Sequence, residues 1–248
     1  MTIAIKSFLR AIIERAALPY RDSGRYAWHF ARGKLAGDPA FGALLAGGLL
    51  TARARILDIG CGQGLLASWL LAAREEMQCG RWPAAWPPAP MPLHVCGIEL
   101  MQHDVDRAGQ ALRNAVREGR ASFVAADMCV ADFGQADAVV ILDVLHYVPV
   151  AAQVDVLRRV HDALVPGGVL LLRVGDASAG LPFVISNWVD FLVTTLRGHR
   201  LTRLHCRPLM EWQHVLETLG FTVKVQPMSE GTPFANVMLV AQKGGSFS

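Results

Sequence analysis

The chain has 248 residues, enough for one α/β domain with a substantial buried core, and the length argues against a second full domain. Its formal charge is only +3 and its isoelectric point is near 8.7, which makes no electrostatic case for a nucleic-acid partner. Five cysteines, Cys61, Cys79, Cys96, Cys129 and Cys206, are odd in number and lack paired ligand spacing, arguing against a disulfide framework or a zinc site and for a reducing cytoplasm.

Residues 1–52 are expected to form an N-terminal helical cap, because Phe8, Ile12, Ile13 and Ala16 recur at helical spacing with charges between them. Lys6, Arg10, Glu14 and Arg15 interrupt the segment, so no signal peptide is expected, and no apolar run reaches the roughly 18 residues that cross a bilayer. Next comes HFARGKLAGDPAF, His29 to Phe41, in which aromatics flank Arg32 and Lys34 before an Asp38-Pro39 turn. The run ILDIGCGQG, Ile56 to Gly64, then joins the end of a buried parallel strand to three alternate glycines. Gly60, Gly62 and Gly64 allow the backbone to turn sharply toward a ligand, and the helix opening near Leu65 points its free amides there. A dinucleotide fingerprint keeps its third glycine where this chain has Leu65.

Prolines in QCGRWPAAWPPAPMP, Gln78 to Pro92, break helix and strand alike and predict an inserted surface loop. The next strand, Leu93 to Ile98, ends in Glu99, where Rossmann-like sheets put an acid against ribose hydroxyls. A short strand, Ser122 to Ala125, precedes Ala126, Asp127 and Met128; another, Ala138 to Leu142, ends in Asp143 before Val144, Leu145, His146 and Tyr147. In LVPGGVLLLRVGD, Leu164 to Asp176, a helix is expected to end at Pro166-Gly167-Gly168 and a buried strand to follow. Leu209 to Leu219 has helical spacing and stops at Gly220, and Phe221 to Val225 and Val237 to Ala241 read as two strands.

The G-x-G-x-G spacing behind Asp58 resembles motif I of the class I S-adenosylmethionine-dependent methyltransferases, and LDVLHYVP looks like their motif IV. The resemblance runs from about Arg53 to Gln242. It implies an α/β fold in three layers, with a doubly wound, mostly parallel seven-stranded sheet ending in an antiparallel strand pair. It implies S-adenosyl-L-methionine as cofactor, held by Asp58, Gly60, Cys61, Gly62, Gly64, Glu99, Leu100, Asp127, Met128 and Asp143. Asp127 would meet the adenine amino group, Met128 the ring, and Arg32 or Lys34 the cofactor carboxylate. Cys61 reads as a small residue that the turn accommodates, not a nucleophile. The motif IV tip faces the methyl group, which makes His146 the first candidate for a general base, ahead of His199 and His205, with Tyr147 as a second candidate or as pocket lining.

The acceptor is read from a substrate-side insertion at about residues 177–207. Leu181 to Leu196 is mostly apolar, and if helical it turns Phe183, Trp188, Phe191 and Leu192 to one face, which packing, an acyl or aromatic substrate, or a membrane interface would cover. Arg197 to Arg207 is basic and suits an anionic head group, a phosphopantetheine arm or an acidic acyl carrier protein. The tip Asp143-Val144-Leu145-His146 lacks the Asn-Pro-Pro-Tyr pattern of nucleobase amino methylases, and no Pro-Cys nucleophile pair is present. The sequence therefore points to a cytoplasmic methyltransferase for a small or lipid-like metabolite, acting at oxygen. A noncatalytic partner of the same fold is the alternative, and an NAD-dependent oxidoreductase a more distant one.

Overall fold

The computed structural model describes residues 3–175, 205–228 and 236–244. The expectations for Leu181 to Leu196, for His199 and for Arg197 to Leu204 lie outside them. The chain divides into two compact units, Met1–Ala131 and Asp132–Ser248.

The first unit runs α1 (Ile3–Ala17), a 3₁₀ turn (Leu18–Ser23), α2 (Arg25–Gly37), α3 (Pro39–Ala46), β1 (Arg55–Ile59), α4 (Leu65–Gln78), β2 (His94–Glu99), α5 (Gln102–Ala111), α6 (Arg113–Arg117) and β3 (Ala121–Ala125). The Asp38-Pro39 pair ends one helix and starts the next. Asp38 is extended and its Oδ1 accepts the Ala40 N–H at 3.0 Å, while Pro39 has no N–H to leave unsatisfied. β1 is parallel to β2 and β2 to β3, with Asp58 opposite Gly97 and Glu99 opposite Ala125.

α4 is buried all round from Leu65 to Ala73, so it needs cover besides the sheet. α1 supplies it: Ser68 Oγ donates to the Ala16 carbonyl at 2.7 Å, and Arg15 reaches Glu76. Trp69 is fully buried and its indole N–H donates to the Phe41 carbonyl at 2.9 Å; burial of that ring contributes about 5 kcal/mol as an upper figure. Between α4 and β2 the chain forms neither helix nor strand, as the prolines dictate. It is nevertheless anchored, since Trp82 and Trp86 close edge-on around Phe8 of α1 at 5.5 and 5.4 Å, and Thr51 Oγ1 donates to the Pro88 carbonyl.

The second unit runs β4 (Ala136–Leu142), a 3₁₀ turn (Leu145–Tyr147), α7 (Val150–Ala163), β5 (Leu164–Gly175), α8 (Leu209–Thr218), β6 (Phe221–Pro227) and β7 (Asn236–Lys243). β4 and β5 are parallel, and β7 is antiparallel to both β5 and β6. α7 stops at Ala163, three residues before the proline, because Pro166 disfavours helical backbone at Val165 and Leu164 is already extended. Lys243 Nζ donates to the His161 and Leu164 carbonyls at 2.7 Å each, satisfying acceptors that the ended helix leaves open. The seven strands form one mixed sheet, flanked by helices, in the order β3-β2-β1-β4-β5-β7-β6.

Candidate functional site

In the first unit the glycine turn is docked on the end of β2. The Gly60 and Cys61 N–H groups donate to the Ile98 carbonyl at 2.8 and 3.1 Å, and the Gly62 N–H donates to Glu99 Oε2 at 2.9 Å. Glu99 Oε1 accepts the Met101 N–H at 3.1 Å, so each carboxylate oxygen is fixed by one amide and keeps further acceptor capacity. Gly64 has φ +74°, and a Cβ there would sit 2.8 Å from Phe123 Cε1. A Cβ on Gly97 would sit 2.6 Å from Cys61 Sγ. At Gly62, φ is +51° and a Cβ would meet nothing within 4 Å, which leaves open space on that side of the turn.

Asp58 is 5% exposed, and burial first, then the Glu99 charge, push its carboxyl up to about 7. The Cys61 thiol is raised by burial and by Asp58 and stays protonated, which opposes thiolate chemistry. The Ala126 N–H donates to the Glu99 carbonyl at 2.9 Å, and the exposed Asp127 turns back through Oδ1 to the Cys129 N–H at 2.8 Å. Met128 beside it is half-buried and Leu100 is 61% exposed. Arg32 and Lys34 are exposed on α2 and engaged locally, Arg32 with Glu14 at 2.5 Å and Lys34 with Asp38 at 2.7 Å. Sequence reasoning missed Tyr20, whose buried hydroxyl donates to the Gln63 carbonyl at 2.8 Å and ties the N-terminal segment to the glycine turn. A lone Tyr in an amphipathic stretch carries no signal of that.

In the second unit Asp143 closes β4 in the left-handed region, φ +57°, a strained choice for a residue with a Cβ. Its N–H donates to the Arg173 carbonyl at 3.3 Å, and its carboxylate takes a two-pronged bond from the buried Arg173 guanidinium, Nε to Oδ1 at 2.9 Å and Nη2 to Oδ2. The signal for Arg173 was visible as one charge inside the apolar run VLLLRV. His146 is 8% exposed on the following 3₁₀ turn; burial lowers its pKa and Asp143 offsets part of that, so the ring is neutral near pH 7. Tyr147 packs edge-on against it at 4.3 Å. His205, the first described residue beyond residue 175, donates its N–H to the His146 carbonyl at 2.8 Å. Among the described residues there is no group of three or more His, Cys, Asp or Glu that could hold a metal ion, and no helix long and apolar enough to cross a membrane.

A family model described as "Methyltransferase domain" matches residues 7–225. The chain belongs to that methyltransferase family. No curated protein matches it. Among solved structures the methyltransferase chain is similar to an O-methyltransferase family protein from Burkholderia thailandensis, with 18% identity and a TM-score of 0.63, covering 91% of this chain and 62% of that one. It is also similar to magnesium protoporphyrin IX methyltransferase of Synechocystis PCC 6803 with bound SAH, at 18% identity and TM-score 0.59, covering 96% and 100%. The CMeT domain of the citrinin polyketide synthase matches at 17% identity and TM-score 0.54, covering 78% and 47%. The chain spans 56 to 58% of three further chains it matches, so it is shorter than several of its structural relatives. At these identities the likeness is one of fold, that of the class I S-adenosylmethionine-dependent methyltransferases.

Proposed function

We propose that this methyltransferase uses S-adenosyl-L-methionine and transfers the methyl group to an oxygen of a small or lipid-like metabolite, carrier-bound or free. The observation that carries the reading is Glu99, held by two backbone N–H groups beside the buried Asp58 and the open side of Gly62. Those acceptors fit the group: a fixed carboxylate suits a ribose diol, and a second carboxyl, raised by burial and then by the Glu99 charge, suits an ammonium, whereas a pyrophosphate would be repelled by both. Among the structural relatives, an O-methyltransferase, an enzyme solved with SAH and a polyketide synthase domain support the atom, the donor and the carrier option in turn.

When bound, S-adenosylmethionine supplies a methyl group on a sulfonium, already a strong electrophile. In this reading Glu99 accepts the ribose hydroxyls, Asp58 faces the ammonium end, and Asp127 and Met128 flank the adenine. Arg32 or Lys34 would serve the carboxylate only after exchanging its present acidic partner. Positioning supplies most of the acceleration. His146, neutral near pH 7, accepts the proton of the acceptor hydroxyl, with Tyr147 lining the same turn.

Calorimetric titration with S-adenosylhomocysteine and with NAD separates a methyl donor site from a dinucleotide site, and binding of only the first is expected. Glu99→Ala should weaken that binding by about 1–3 kcal/mol, as loss of a charged hydrogen-bond partner does; an unchanged affinity refutes the site. Labelled methyl transfer to phenolic, fatty and carrier-bound acceptors then distinguishes an enzyme from a noncatalytic partner. His146→Ala should remove most turnover while leaving S-adenosylhomocysteine affinity intact.

A further inference from the structure

Gln153 lies in the first turn of α7 and is fully buried. A primary amide there is costly unless all its polar atoms are used. Its Nε2 donates to the Val148 carbonyl at 3.1 Å and to the His205 carbonyl at 2.7 Å, and its Oε1 accepts Arg207 Nε at 2.8 Å. Arg207 is itself only 7% exposed; Nη2 donates to the Val150 carbonyl at 2.8 Å, and the guanidinium lies 5.4 Å over the Trp212 ring. With the His205 N–H on the His146 carbonyl, three alternate carbonyls, of residues 146, 148 and 150, are tied to Gln153 or to the 205–207 segment. The other end of the same stretch is fixed by Arg173 on Asp143. Apolar side chains would pack here without the desolvation cost of a buried cation. What the polar set adds is a defined backbone path for the turn that carries His146.

We propose that Gln153 and Arg207 are positioning residues for His146, bracing its turn against residues 205–207 so that the imidazole is presented in one orientation. The proposal rests on the functional reading above for what the imidazole does, and on the geometry alone for the brace. Among the described residues, His146 is faced by Asp143 with its partner Arg173, by the Tyr147 ring, and by His205 through its backbone.

The test is an NMR pH titration of the His146 ring in the full chain, its resonance identified by its loss in His146→Asn, compared among wild type, Gln153→Met and Arg207→Lys. Gln153→Met keeps the volume and removes the bonds; Arg207→Lys keeps the charge and removes the fork, and decides the matter if the first variant does not fold. In the wild type the ring should titrate below the ordinary histidine range. In the variants the midpoint should move upward as the loosened turn hydrates, with kcat for methyl transfer falling at least tenfold and S-adenosylhomocysteine affinity staying within twofold. A folded variant with a lower Tm and an unmoved midpoint overturns the proposal, because a merely structural role predicts that result. A shifted midpoint in a protein that transfers no methyl group leaves the brace standing and refutes the functional reading instead.

Discussion

Asp58 carries a conflict between burial and a neighbouring charge, and the consequence can be followed in pH. An unfolded aspartate titrates near 3.9, roughly three units below the value of about 7 that Asp58 has in the fold. The folded protein therefore holds this proton more tightly, so the stability it contributes is fully present below about pH 4 and is lost as pH rises through about 7. Asp58→Asn removes the charge and keeps the shape. It should leave unfolding free energy nearly unchanged near pH 4 and raise it by up to about 4 kcal/mol near pH 8, measured by urea unfolding at both. If Asp58 faces an ammonium, wild-type affinity for S-adenosylhomocysteine should also climb as pH rises through 7, since a cation favours the carboxylate. That dependence should vanish in Asp58→Asn.

At the scale of elements, the glycine turn joins β1 to α4 through residues with different reasons to be glycine. Gly64 combines a left-handed φ with Phe123 at 2.8 Å from any Cβ, so Gly64→Ala should cost about 2 kcal/mol or more in stability. Gly62 has the left-handed φ but open space, so Gly62→Ala should cost only about 1 kcal/mol while raising the Kd for S-adenosylhomocysteine at least fivefold. Thermal unfolding and calorimetry on the two variants separate these effects. The strands were legible because apolar runs bounded by turn residues leave few alternatives: the expected strand ends fall within two residues of β1, β2, β3, β4, β6 and β7. The end of α7 was not, since the proline pattern marks where a helix must have stopped and Ala163 stops before it.

For the molecule as a whole, the N-terminal helices are built into the first unit and do not hang from it. Arg15 of α1 and Arg81 of the proline-rich loop both pair with Glu76, a side chain only 2% exposed on α4, and Arg81 followed by Arg15 holds its carboxyl below the usual glutamate range. Stability from this group is present above about pH 4.3 and is lost as pH falls through the lower folded value. Glu76→Gln should cost about 1–3 kcal/mol near pH 7, with the difference shrinking in acid; equal stability at all pH would show that the pairs contribute nothing. The sequence by itself determined the order of strands and helices, the glycine turn, and the acids at strand ends, because backbone conformation and apolar periodicity are local properties of the chain. Only the tertiary structure decided that Tyr20 caps the Gln63 carbonyl, that Arg173 takes the Asp143 carboxylate, and that Gln153 and Arg207 brace the His146 turn. Those partners lie 30 to 57 residues apart, except where Gln153 reaches back to Val148, and a hydrogen bond across such a gap leaves no period or spacing to read.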